Sequence, residues 1–159
     1  MGIFDSIFRK KKDDLVAHTN DVSMQDMEKI QNSLQGKMDE SVYNNTFNQA
    51  CRLVPKGQYA EALAMFENVK ANTADAHQKG NCDNQIGVCH FFMNDFEKAI
   101  EAYANSIKNG FDRSMADDNI WEACEKLMQR DHDKARWAKH YLEILPNGNY
   151  KGKAQKHLG

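Results

Sequence analysis

A chain of 159 residues, 41% hydrophobic and 28% charged, fits one globular domain, and two prolines and nine glycines leave long stretches open to helix. The formal charge of −2 is uneven: the first twelve residues carry +3 and the last thirteen another +3, which leaves −8 for the body. An acidic body argues against a broad nucleic-acid-binding face, which needs clustered Lys and Arg to displace counterions, and no apolar run approaches the roughly 20 residues of a membrane span.

With no secretory h-region, the expected setting is reducing and cytoplasmic, and Cys51, Cys82, Cys89 and Cys124 read as small core residues rather than disulfide partners. In chain order, residues 1–21 come first, a basic segment that is either flexible or membrane-facing. Ile3, Phe4, Ile7 and Phe8 share one face of a short helix, and Arg9, Lys10, Lys11 and Lys12 follow at once. That pattern suits weak peripheral contact with an anionic membrane surface. Met1-Gly2-Ile3-Phe4-Asp5-Ser6 also fits the M-G-x-x-x-S acylation signal. Met24, Met27, Ile30, Leu34 and Met38 then form an apolar stripe, which predicts an extra helix that caps a solenoid end or fills its groove.

From Tyr43 the apolar residues recur at helical spacing. Tyr43, Phe47, Ala50, Cys51 and Val54 make one stripe, halted at Pro55-Lys56-Gly57, and Tyr59, Ala62, Leu63, Phe66 and Val69 make the next. A turn of a few residues between them predicts an antiparallel hairpin. The unit recurs: a helix with Ile86, Gly87, Val88, His90 and Phe91 leads through Asn94-Asp95 into one with Phe96, Ala99, Ile100, Tyr103 and Ile107. A third pair holds Ile120, Trp121, Ala123, Cys124, Leu127 and Met128, then Ala135, Ala138, Tyr141 and Leu142 before Leu145-Pro146-Asn147. Aligning Ala62, Ala99 and Ala135 gives spacings of 37 and 36 residues, a period that marks a solenoid of helical hairpins. In that alignment Lys139 falls where Phe66 and Tyr103 stand, and His132 replaces the aromatic before the alanine.

Gly57-Gln58-Tyr59-Ala60-Glu61-Ala62-Leu63-Ala64-Met65-Phe66 resembles the turn and second helix of a tetratricopeptide repeat, and Asn94-Asp95-Phe96-Glu97-Lys98-Ala99-Ile100-Glu101-Ala102-Tyr103 resembles it again. Ile86-Gly87-x-x-His90 corresponds to that family's Leu-Gly-x-x-Tyr, and Ala50 takes the small-residue place in the first unit. The spacings exceed the family's usual period of about 34 residues, which places extra residues in the linkers around Asn72 to Ala76 and Asn109 to Arg113. The resemblance covers residues 40 to 146. It implies an all-α fold, an α-solenoid of about three antiparallel hairpins with an extra N-terminal helix. The expected domain is 22–159, with repeats at about 40–73, 77–110 and 114–146.

In such repeats the first helices line the concave groove. Transferred to this chain, that geometry offers Asn44, Phe47, Cys51, Asn81, Asn84, Val88, Phe91, Ile120, Cys124 and Leu127 as a mostly apolar protein-binding groove. No Lys or Arg falls among them, which disfavours a clamp for a terminal carboxylate. An apolar groove suits an amphipathic helix or hydrophobic segment, while the same side chains could equally pack against their neighbours or against the helix around Met27.

Chemistry finds little support. Cys82 and Cys89 lie seven residues apart, about 10 Å along a helix, too far for two thiolates about 2.3 Å from one zinc. Cys89 and His90 point about 100° apart on a helix and form no nucleophile–base pair. Glu97 and Glu101 read as surface ion-pairing groups. The expectation is a non-catalytic adaptor or scaffold without metal or cofactor, binding a protein or peptide and not nucleic acid. The alternatives are a peripheral membrane adaptor anchored by residues 3–12, or the regulatory subunit of an enzyme. Self-association stays open, because exposed solenoid surfaces often self-associate.

Overall fold

The computed structural model describes residues 38–159, and the readings made for residues 1–37 lie outside it. Seven α-helices follow one another among the described residues, with no strand: α1 (Glu40–Leu53), α2 (Tyr59–Asn72), α3 (Ala76–Phe92), α4 (Phe96–Lys108), α5 (Arg113–Asp131), α6 (Lys134–Ile144) and α7 (Lys151–Lys156). A 3₁₀ turn at Val54–Lys56 extends α1. Each helix packs chiefly on the one before and the one after, an all-α, solenoid-like succession.

The local signals recur as the helices do. The first helix of each pair starts on an aspartate whose carboxylate accepts a backbone N–H that the helix leaves unpaired: Asp39 from Ser41, Asp75 from Gln78 and Asp112 from Met115, each at 2.8 Å. The turn into the second helix passes through one left-handed residue each time: Gly57 (φ 74°), Asn94 (φ 63°) and His132 (φ 54°). Glycine adopts that conformation freely and asparagine tolerates it; the histidine stands there at some strain. These three turns are 37 and 38 residues apart.

This register corrects the expected alignment of the third unit. Counted from the first residue of each second helix, Ala62 and Ala99 are matched by Trp137, and Phe66 and Tyr103 are matched by Tyr141. Ala135 is exposed, whereas Trp137 and Tyr141 are buried. Lys139 therefore replaces no aromatic, and His132 is the turn residue. The joints before α3 and α5 span only Thr73–Asp75 and Asn109–Asp112, so the added length lies in the helices, with 17 residues in α3 and 19 in α5.

The core forms between neighbours. Ala50 and Ala62, both fully enclosed, let α1 and α2 approach, and Phe66, also fully enclosed, fills the space toward Ile86 and Cys89 of α3. Burying a side chain of that size contributes about 1.5–3 kcal/mol. Met38 packs beside Tyr43, Val69 and Cys82. A larger cluster joins α4, α5 and α6 through Ile100, Tyr103, Trp121, Leu127 and Tyr141.

Candidate functional site: two faces of the third helix

The first helices place the expected groove residues unevenly. On α1, Asn44 is exposed while Phe47 and Cys51 are half-buried; the Phe47 ring stacks on Tyr43 at 5.4 Å and meets Phe66 edge-on at 5.3 Å. On α3, Asn81, Val88 and Phe91 are half-buried, and Phe91 is held edge-on by Phe92 and Phe96. Asn84 is buried and accepts a 3.2 Å hydrogen bond from Asn119, which ties α3 to α5.

On α5 the outcome differs. Ile120, Cys124 and Leu127 are fully enclosed, part of the cluster with Ile100 and Tyr103, and they line no open surface. Among the expected groove residues, those that keep exposed surface lie on α1 (Asn44, Phe47 and Cys51) and on α3 (Asn81, Val88 and Phe91). The membrane-contact candidates Ile3 to Lys12 lie outside the described residues.

A second surface has a definite shape. A cleft of about 540 Å³ opens with α3 as its floor, through Lys79, Asp83, Ile86 and His90, and with α2 and α4 as its walls. At roughly 100° per residue these four share one side of the helix, and Asn81, Asn84, Val88 and Phe91 centre roughly 150° away. The two surfaces therefore use opposite sides of α3. None of the cleft's residues was among the expected site residues, although Lys79, Asp83, Ile86 and His90 fall at i, i+4, i+7 and i+11, as visible a stripe as the apolar one.

Under the cleft lies a polar clamp. Asp83, 2% exposed, accepts from Lys70 Nζ at 2.6 Å and from Asn109 Nδ2 at 2.9 Å. Because a buried carboxylate without partners is costly, this pairing joins α2, α3 and the joint before α5 as one unit. Gly80 permits the approach: a Cβ there would lie 3.1 Å from the Asn109 carbonyl oxygen and 3.2 Å from the Phe111 nitrogen.

None of the four cysteines is held as a reactive thiolate. Burial pushes the Cys82 thiol up to about 12 and the Cys89 thiol up to about 11, away from the thiolate that reacts. The acids with resolved shifts are held low by structural pairing: Arg130 donates to Glu97 and to Asp131, and Lys98 to Asp95. Among the described residues no group of three His, Cys, Asp or Glu side chains converges as metal ligands, and no helix is long and apolar enough to cross a membrane.

Compared with protein-family models, with curated proteins and with solved structures, the chain finds no match.

Proposed function

We propose that this chain is a tetratricopeptide-like, non-catalytic scaffold that holds a segment of another protein on a strip over α1 and α3. The observation that supports it is the incomplete burial of Phe47, Cys51, Val88 and Phe91. Apolar side chains at helical spacing on two neighbouring first helices retain contact area that an amphipathic segment can cover, with anchors every third or fourth residue. Asn44 at the edge offers a donor and an acceptor for the segment's polar side. The strip carries no Lys or Arg, so the segment is recognised by its interior residues and not by a terminal carboxylate.

A photo-crosslinking residue at Asn44, compared with one at the exposed Glu143 of α6, tests the reading in lysate of the source cells. A defined protein adduct is expected from position 44 and not from 143, and Val88→Asp added at the strip should abolish it while the melting curve stays that of a folded protein. Equal adducts from both positions, or an adduct that survives Val88→Asp, would count against the strip.

A further inference from the structure

Asn-Gly occurs twice in the sequence, at Asn109-Gly110 and at Asn147-Gly148. This dipeptide is prone to lose its side-chain amide, because glycine has no Cβ to keep its nitrogen away from the amide carbon before it. The two copies stand in the same backbone setting. Each asparagine is the third residue of a four-residue turn: the Gly110 N–H donates to the Ile107 carbonyl and the Gly148 N–H to the Leu145 carbonyl, both at 3.0 Å. The attacking nitrogen is thus engaged alike in both, and the difference lies in the side chains.

Asn109 is half-buried, and its Nδ2 donates to the buried Asp83 carboxylate at 2.9 Å. Turning its amide carbon toward Gly110 takes a donor away from that carboxylate, which is costly. Asn147 is exposed, and its Oδ1 accepts from Lys151 Nζ at 3.2 Å, a contact that water replaces when it breaks. Asn147 therefore reaches the reactive arrangement by giving up its turn bond, whereas Asn109 must give up the clamp as well.

We infer that Asn147-Gly148 is a site of spontaneous deamidation and isomerisation, and that its isoaspartyl product releases the segment after α6 from α5. The Gly148 nitrogen attacks Cγ of Asn147 and forms a bond to it. The side-chain nitrogen leaves as ammonia, taking the proton that the Gly148 nitrogen gives up. The succinimide ring so made takes up one water at either of its two C–N bonds, and nothing is oxidised or reduced. Opening at Cγ gives an aspartate; opening at the backbone carbonyl gives an isoaspartate, whose chain runs through the side chain and is longer by one methylene.

The two products differ in effect. The aspartate keeps the backbone, and its carboxylate suits the Lys151 ammonium beside it. The isoaspartate lengthens the backbone where it has little room: a Cβ on Gly148 would run into the Tyr141 hydroxyl, and the next amide, of Asn149, donates to the buried Asp117 at 2.7 Å. An added methylene shifts both contacts. Neither surface of α3 is involved, so failure here leaves the function proposed above untouched.

The full chain, folded and in urea, is incubated in mildly alkaline buffer at physiological temperature, and peptide mapping by mass spectrometry follows the gain of one mass unit at each site. In urea, where the clamp is gone, the two sites should convert at rates within roughly threefold of each other. In the folded protein conversion at Asn147 should exceed that at Asn109 by roughly tenfold or more, the factor that a hydrogen bond to a charged group supplies. After incubation trypsin under native conditions should cut at Lys153 faster than in fresh protein. Asn147→Gln, which closes the larger ring far more slowly, should abolish that gain. Conversion at Asn109 as fast as at Asn147 in the folded protein would overturn the assignment, and so would conversion at Asn147 in urea alone. Trypsin sensitivity that grows equally in Asn147→Gln, or that stays flat while Asn147 converts to isoaspartate, would refute the release of the segment.

Discussion

A methyl group on Gly87 would lie 2.5 Å from Cε1 of Tyr103, inside any tolerable contact distance. The α3–α4 pair is built on that approach, since Tyr103 is 3% exposed and its ring has no free side toward which to swing. Gly87→Ala should therefore destabilise the protein by about 1–3 kcal/mol through overpacking, although alanine in a helix interior is worth about 1 kcal/mol over glycine. Urea unfolding decides the sign. Combining it with Tyr103→Leu should recover part of the loss, and a variant Gly87→Ala more stable than its parent would show that the contact is not tight.

That glycine was legible in the sequence because its alanine and aromatic partners recur at fixed offsets in the first two units. The third unit was harder to read for a physical reason. The left-handed turn residue there is His132, which gives no turn signal of the kind Gly57 and Asn94 give. Without it the sequence pattern anchors the register on Ala135, which is exposed, whereas Trp137 occupies the alanine's place. The cleft was missed for another reason. Its floor stripe on α3 is visible in the sequence, but the stripe is mostly polar and reads as a solvated face, and the clamp of Lys70, Asp83 and Asn109 joins residues 13 and 26 positions apart, a pairing that only the packed helices create.

The segment after α6 is fastened to α5 by a buried carboxylate, with exposed hydrogen bonds from Asn149 to Ser114 and from Tyr150 to Asp118 beside it. Asp117, 2% exposed, accepts from the Tyr141 hydroxyl at 2.5 Å and from the Asn149 amide at 2.7 Å, and Tyr150 stacks on Trp121 with ring centres 5.2 Å apart. Asp117→Ala leaves two donors without an acceptor and should cost about 2–6 kcal/mol, at about 1–3 for each orphan. Trypsin under native conditions should then cut at Lys151, Lys153 and Lys156 faster than in the parent. Unchanged cleavage would mean that apolar contacts around Ala154, not Asp117, hold the segment. Gly148→Ala is expected to act in the same direction, because its Cβ would run into the Tyr141 hydroxyl.

Arg130 makes stability depend on pH in a definite direction. It donates to Glu97 of α4 at 2.6 Å and to Asp131 at 2.6 Å, and these hydrogen bonds hold Glu97 below its ordinary 4.5 and Asp131 below its ordinary 3.8. An acid lowered in the folded state binds fewer protons there than when unfolded. Its contribution is thus present above the ordinary carboxylate range and disappears as pH falls through the folded value. The pairs are nearly half exposed, so the effect is small. Arg130→Met should melt below its parent at neutral pH, and the gap should close on acidification below about pH 4. Scanning calorimetry from neutral to acid pH measures it, and a gap that stays constant or widens in acid would contradict the assignment.

The four cysteines report the same packing by their rates. Burial pushes Cys82 and Cys124 up to about 12 and Cys89 up to about 11, and all three are fully enclosed, whereas Cys51 is half-buried and raised less. Only the thiolate attacks a disulfide reagent, so enclosed thiols react only when the structure opens. Cys51 should react first in the native protein, more slowly than a free thiol, and the other three should follow at the pace of opening until denaturant releases all four together. Cys89 lies two residues from Gly87, so the Gly87→Ala substitution should raise its rate by the factor by which urea unfolding finds the protein weakened. Fast native reaction of more than one thiol, or a Cys89 rate indifferent to Gly87→Ala, would show that α3 and α4 are not joined as tightly as the 2.5 Å approach requires.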